Sequence, residues 1–220
     1  MNLARPAAVI FDMDGLLLDT ERISRTSMIE VVTAMGFAMT EADFAPLVGL
    51  PKDANRHQLN DRFGPDFDYD LMRARQLELN NSRYGLARPL RPGARAIVDT
   101  VVALGIPRAI ATSTERVKAV SHLTHSGLID AFDIVVTRDD VARGKPFPDL
   151  YLAATAALGL PPGDCLALED SYNGVRAAHA AGVPVIMVPD LLPATAEMRA
   201  LALTVVPGLH VVSGWLQASG

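Results

Sequence analysis

The sequence predicts an α/β protein: a doubly wound parallel sheet interrupted near its start by an all-helical insert. Three observations carry that expectation. A short apolar run, Ala7 to Phe11, stops on Asp12 and reads as a buried strand ending in a carboxylate. The stretch from about residue 21 to 86 shows helical spacing only. From Pro92 onward, strand and helix signals alternate at intervals that imply right-handed crossovers between parallel strands.

In the first strand Val9, Ile10 and Phe11 favour extended structure, Asp14 follows Asp12 by two residues, and Gly15 supplies a turn. Side chains alternate faces along a strand, so the two acids share a side only while the chain stays extended, at the sheet edge where open α/β folds bind ligands. Two carboxylates there raise the electrostatic energy unless a cation or a chemical task offsets them. Taken alone, Asp14-Gly15 is equally an ordinary turn.

The helical block opens with Glu21 to Met35, where Ile23, Met28, Ile29, Val32 and Met35 recur at helical spacing before Gly36 closes it. Thr40 to Asp43 has capping chemistry, Val48 to Asp53 is a loop before a third helix to about Phe63, and Tyr69 to Tyr84 is a long, charged helix. Then come a helix from Pro92-Gly93 to Leu104, a strand Arg108 to Thr112, a helix Glu115 to His125 and a strand Ile134 to Thr137. Helix Pro148 to Leu158, strand Cys165 to Leu168, helix Asn173 to Ala181, strand Val183 to Val188 and a last strand at Val205-Val206 complete the pattern.

With 220 residues, half of them hydrophobic, the chain can bury a real core. A net charge of -5 and no long basic block exclude a nucleic-acid backbone as partner, and charge does not argue for a membrane surface. No apolar run reaches the length of a membrane span, and the residues before the first strand are too few for a secretory signal. The single cysteine, Cys165, fits a reducing compartment, so a soluble, cytoplasmic, monomeric protein is expected.

Three further stretches end predicted strands on chemistry. Thr112-Ser113-Thr114 puts a hydroxyl and adjacent backbone N–H groups at a helix start, suited to phosphate oxygens or to a plain N-cap. Gly144-Lys145-Pro146 holds one ammonium in a constrained loop. Leu168-Glu169-Asp170-Ser171 ends an apolar strand on two acids, which are hard oxygen donors of the kind Mg2+ prefers, or solvated strand-end acids.

In this order, Asp-x-Asp-Gly, strand-Thr/Ser, Gly-Lys-Pro and Glu-Asp-Ser resemble the four motifs of the haloacid dehalogenase-like hydrolases over essentially the whole chain. The resemblance implies a Rossmann-like core of 1–18 and 87–220, and a helical cap of the C1 type at 19–86. It implies Asp12 as a nucleophile that forms an aspartyl-phosphate, Asp14 as general acid/base and backbone metal ligand, and Thr112 as the phosphate-binding hydroxyl. By the same likeness Lys145 balances charge and touches substrate, and Asp12, Asp14, Glu169 and Asp170 surround Mg2+, Glu169 directly or one layer out. Ser113 and Lys52 complete the expected contacts to a small phosphorylated substrate.

The acid at Asp14 separates this chain from the dehalogenases and phosphonoacetaldehyde hydrolases of the family, which lack one there. Its motifs are similar to the branch containing β-phosphoglucomutase, sugar-phosphate phosphatases and pseudouridine 5'-phosphatase. Where the mutase has a cap-hinge histidine and a cap-loop arginine, this chain has Ser24 and Lys52. The expectation is therefore a phosphatase, with a phosphomutase and a catalytically idle binding protein as its alternatives. His122 with His125, and Arg56 with His57, read as surface or packing residues.

Overall fold

The computed structural model describes residues 5–48, 50 and 52–218. The chain divides into two compact units, residues 20–86 and residues 1–19 with 87–220.

The larger unit is built on six parallel strands: β1 (Ala8–Phe11), β2 (Arg108–Ala111), β3 (Ile134–Val136), β4 (Cys165–Glu169), β5 (Val185–Met187) and β6 (Thr204–Val205). Their spatial order is β3-β2-β1-β4-β5-β6. The chain winds outward from β1 on one side, then starts again beside β1 on the other. The switch point, where such sheets leave a crevice at their carboxyl ends, therefore lies between β1 and β4.

Period-two alternation explains the two cores. Val9, Phe11, Ile110, Leu166, Leu168 and Ile186 face one apolar layer, with helices α5 (Ala94–Ala103), α6 (Arg116–His125) and α10 (Leu209–Ala218). Ala8, Ile10, Ala109, Ala167, Val185 and Met187 face the other, with α7 (Asp149–Leu158), α8 (Tyr172–Ala180) and α9 (Ala196–Leu201). Both faces are covered, so the strands read as continuous apolar runs. The parallel, helix-flanked sheet is the one the alternation predicts.

Boundaries shift for local reasons. Strand β5 is shorter than the apolar run Val183 to Val188 because Pro184 has no N–H for the ladder, although its carbonyl accepts from Ala167 N at 2.8 Å. Helices α9 and α10 are additional to the expected elements. Helix α10 lies along α5, and since the Thr100 hydroxyl donates to Ala96 O, Ser213 donates to Thr100 Oγ1 across the pair at 2.7 Å.

The smaller unit contains α1 (Thr20–Ala34), α2 (Glu41–Phe44), α3 (Lys52–Phe63) and α4 (Tyr69–Tyr84). Thr40 and Asp43 form a reciprocal capping box at α2. Gln76 is buried and donates to Ser24 O at 2.9 Å and Ser27 Oγ at 3.1 Å, joining α4 to α1. Phe37, Phe63 and Phe67 pack edge-on and tilted against one another, and Met28, Met39 and Met72 are buried. Among the described residues no helix is long and apolar enough to cross a membrane.

Candidate active site

Strand β1 delivers Asp12 to the switch point. The Asp12 N–H donates to Leu168 O at 3.0 Å, which extends the ladder one residue past each strand and holds the carboxylate between them. The side chain is buried.

Lys145 reaches this carboxylate from the loop between β3 and α7, through a cis Lys145–Pro146 peptide. Its ammonium donates to Asp12 Oδ1 at 2.5 Å, to Ala111 O at 3.0 Å and to Glu169 Oε1. An ammonium has three protons, and these three acceptors use them all. Lys145 therefore serves first as a cation between two acids, and direct contact with a phosphate would require it to exchange one of these partners.

Glu169 ends β4 fully buried. Its Oε1 also accepts from the Tyr151 hydroxyl at 2.7 Å, and its Oε2 from Ser171 Oγ at 3.1 Å. Ser171 is the N-cap of α8, accepting from Gly174 N at 3.1 Å. A Cβ at position 174 would lie 1.9 Å from the Glu169 carboxylate, so the first turn of α8 can pass over that acid only as glycine.

Asp14 lies in the turn after β1, where Gly15, at φ +85°, lets the chain double back so that its N–H donates to Leu18 O. Its Oδ2 accepts from Thr114 Oγ1 at 2.6 Å and, more weakly, from Thr112 Oγ1 at 3.5 Å. Thr112 is buried and its hydroxyl accepts from Thr114 N at 3.1 Å, while Ser113 between them is exposed. Thr114 is the residue that sequence reasoning left without a role. Lys52 opens α3 in the smaller unit, and its side chain lies outside the described residues.

Asp12, Glu169 and Asp170 each offer an oxygen, all within 4.8 Å of one another, the only such group of potential ligands among the described residues. His122 and His125 do not belong to it. Arg56 pairs with Asp70 and His57 with Asp61 on the smaller unit. An all-oxygen, carboxylate-rich donor set suits a hard divalent cation such as Mg2+. Asp12 and Asp170 fit best, because both Glu169 oxygens already accept hydrogen bonds.

Charge supports that fit. Burial pushes the Asp12 carboxyl up to about 8, Glu169 and Asp14 add to the rise, and Lys145 opposes it. Burial alone would lower the Lys145 pKa, but Asp12 and Glu169 outweigh it and raise it. One ammonium does not neutralise the acids gathered here, and a divalent cation would. Burial, with Glu169 next, also raises Tyr151, so its phenol stays a donor. Replacing Tyr151 by Phe keeps the packing and removes one bond to a buried carboxylate, which should cost about 1.5–3 kcal/mol in urea unfolding. A loss below half a kcal/mol would mean that Ser171 and Lys145 hold Glu169 without it.

Residues 9–188 match the family model described as haloacid dehalogenase-like hydrolase. The chain belongs to the haloacid dehalogenase-like hydrolases. Among relatives of this hydrolase, the phosphorylated carbohydrates phosphatase of Thermotoga maritima is 32% identical, over 80% of this chain and 82% of its own. Protein SUPPRESSOR OF QUENCHING 1, chloroplastic, of Arabidopsis thaliana is 35% identical over 84% of this chain, which spans only 18% of that protein's length. The crystal structure of a HAD family hydrolase from Deinococcus radiodurans R1 with bound phosphate and sodium superposes with a TM-score of 0.83 at 28% identity, covering 99% of this chain and 98% of that one. The chain is a phosphatase enzyme of this family.

Proposed function

We propose that this hydrolase is a Mg2+-dependent phosphatase that cleaves small phosphorylated metabolites through an aspartyl-phosphate on Asp12. One observation carries the reading: a buried carboxylate at the sheet's switch point, fixed by a lysine that is itself fixed, with a threonine-rich turn and a second buried acid beside it. An acid so placed cannot be a solvated strand end, and it has the restricted geometry a nucleophile needs.

In this reading Asp12 attacks phosphorus, the ester P–O bond breaks, and Asp14 gives a proton to the departing oxygen. Asp14 then takes a proton from the water that attacks the acyl-phosphate, which releases phosphate and restores the Asp12 carboxylate and the protonated Asp14. Thr112, Ser113 and nearby backbone N–H groups bind the equatorial oxygens, and Lys145 holds Asp12 in line. Asp12 and Asp170, with a backbone carbonyl of Asp14, would hold Mg2+, and Glu169 would act one layer out as the support of Lys145. Mg2+, when bound, would supply positive charge against both the gathered carboxylates and the phosphoryl oxygens. The unit at 20–86 serves as the cap that selects substrate, with Lys52 as a candidate contact to it.

The kinship with a phosphatase of phosphorylated carbohydrates supports sugar phosphates as the first class to try. Phosphate release across sugar phosphates, nucleotides and phosphoglycolate, with products identified by NMR, tests the proposal. Release from one or a few esters, abolished by EDTA and restored by Mg2+, is expected. Isomerised sugar phosphate formed only with a bisphosphate primer would instead make the enzyme a phosphomutase.

A further inference from the structure

Thr114 belongs to no expected site, yet it makes the shortest hydrogen bond to Asp14: its Oγ1 donates to Asp14 Oδ2 at 2.6 Å. The residue is fixed at both ends of its backbone. Its N–H donates to Thr112 Oγ1 at 3.1 Å, and its carbonyl accepts from Arg138 N, in the turn after β3, at 3.1 Å. The hydroxyl is thus aimed from a rigid loop at a carboxylate that leaves β1 in a turn. Thr112, the other hydroxyl near Oδ2, sits at 3.5 Å and has its oxygen engaged by the Thr114 N–H.

We infer that Thr114 is a positioning residue for the proton transfer: it anchors Oδ2 and leaves Oδ1 as the oxygen that exchanges the proton with the departing group. The inference rests on the phosphatase reading above. A carboxyl held through one oxygen by a rigid loop presents the other in one direction, and a general acid must lie within hydrogen-bond reach of the oxygen it protonates. In the transfer the ester P–O bond breaks, the proton moves from Oδ1 to the departing oxygen, and Thr114 keeps its own proton throughout.

The consequence depends on the leaving group. An alkoxide departs only with a proton, whereas p-nitrophenolate departs without one. We would measure kcat/KM, which covers the steps through release of the alcohol, for a sugar phosphate and for p-nitrophenyl phosphate with the wild-type enzyme, Thr114→Val and Thr114→Ser. Thr114→Val should lower kcat/KM about tenfold for the sugar phosphate and less than about threefold for the aryl ester, and Thr114→Ser should recover most of the loss. Equal losses on both esters, or none on either, would overturn the inference while leaving the phosphatase reading intact. A wild-type protein inactive on both would overturn that reading and this inference with it.

Discussion

Asp12→Asn should abolish phosphate release, a loss of at least about four orders of magnitude in kcat, because the amide cannot attack phosphorus to form the acyl-phosphate. The same substitution should stabilise the metal-free protein at neutral and alkaline pH. Wild-type Asp12 is buried beside Glu169 and its pKa is raised from 3.8 to about 8. Between those values the folded protein keeps a proton that the unfolded chain has released, so metal-free stability falls as pH rises from about 4 to about 8. The asparagine variant lacks that dependence, and Lys145 retains Glu169 as its counter-charge. Urea unfolding in EDTA should favour the variant by on the order of 2 kcal/mol at pH 8, with the gap closing toward pH 4. A variant less stable than wild type at pH 8 would mean that attraction to Lys145 exceeds the cost of burying Asp12.

Lys145→Met should act in the opposite sense. Methionine fills the space of the lysine stem but leaves Asp12 and Glu169 buried without the ammonium that both contact. Removing one partner from a buried ionic group costs about 3–5 kcal/mol, because the remaining charge has lost its water and found nothing in exchange. Lys145 opposes the rise of the Asp12 pKa, so without it Asp12 must hold its proton to still higher pH in order to fold, and the deficit should be larger at pH 8 than at pH 5. Denaturant midpoints at the two pH values check this. A deficit below about 1 kcal/mol at pH 8 would show that the Tyr151 and Ser171 hydroxyls and residual water already satisfy the acids.

The parts of this molecule that were legible in the sequence share a physical cause. Buried parallel strands carry unbroken apolar runs, and each run that stops on a polar residue, Phe11 on Asp12, Ala111 on Thr112 or Leu168 on Glu169, marks the edge where ligands bind. The resemblance in motif order is what put Asp12, Glu169 and Asp170 together although about 160 residues separate them, and their oxygens do lie within 4.8 Å of one another. Helix α10 was not legible. Gly208 and Gly214 punctuate its segment, and its packing face, Leu209, Val212, Ser213 and Leu216, is defined by α5 rather than by its own charge pattern. Tyr151 and Thr114 were hidden for a different reason. Each is an unremarkable residue beside a motif, and only folding brings the phenol under Glu169 and the hydroxyl onto Asp14. Position 174 falls within the expected helix Asn173 to Ala181, and what constrains it is the acid 1.9 Å from where a Cβ would stand.

The nucleophilic role of Asp12 is tested most directly by trapping. Enzyme mixed with Mg2+ and a phosphate ester it turns over would be quenched in the steady state, reduced with borohydride, digested and sequenced by mass spectrometry. An acyl-phosphate is reduced to the alcohol, so homoserine at position 12, dependent on both substrate and Mg2+, is the predicted result. Sustained phosphate release with position 12 recovered only as unmodified aspartate, and the modification found at another residue, would contradict the account.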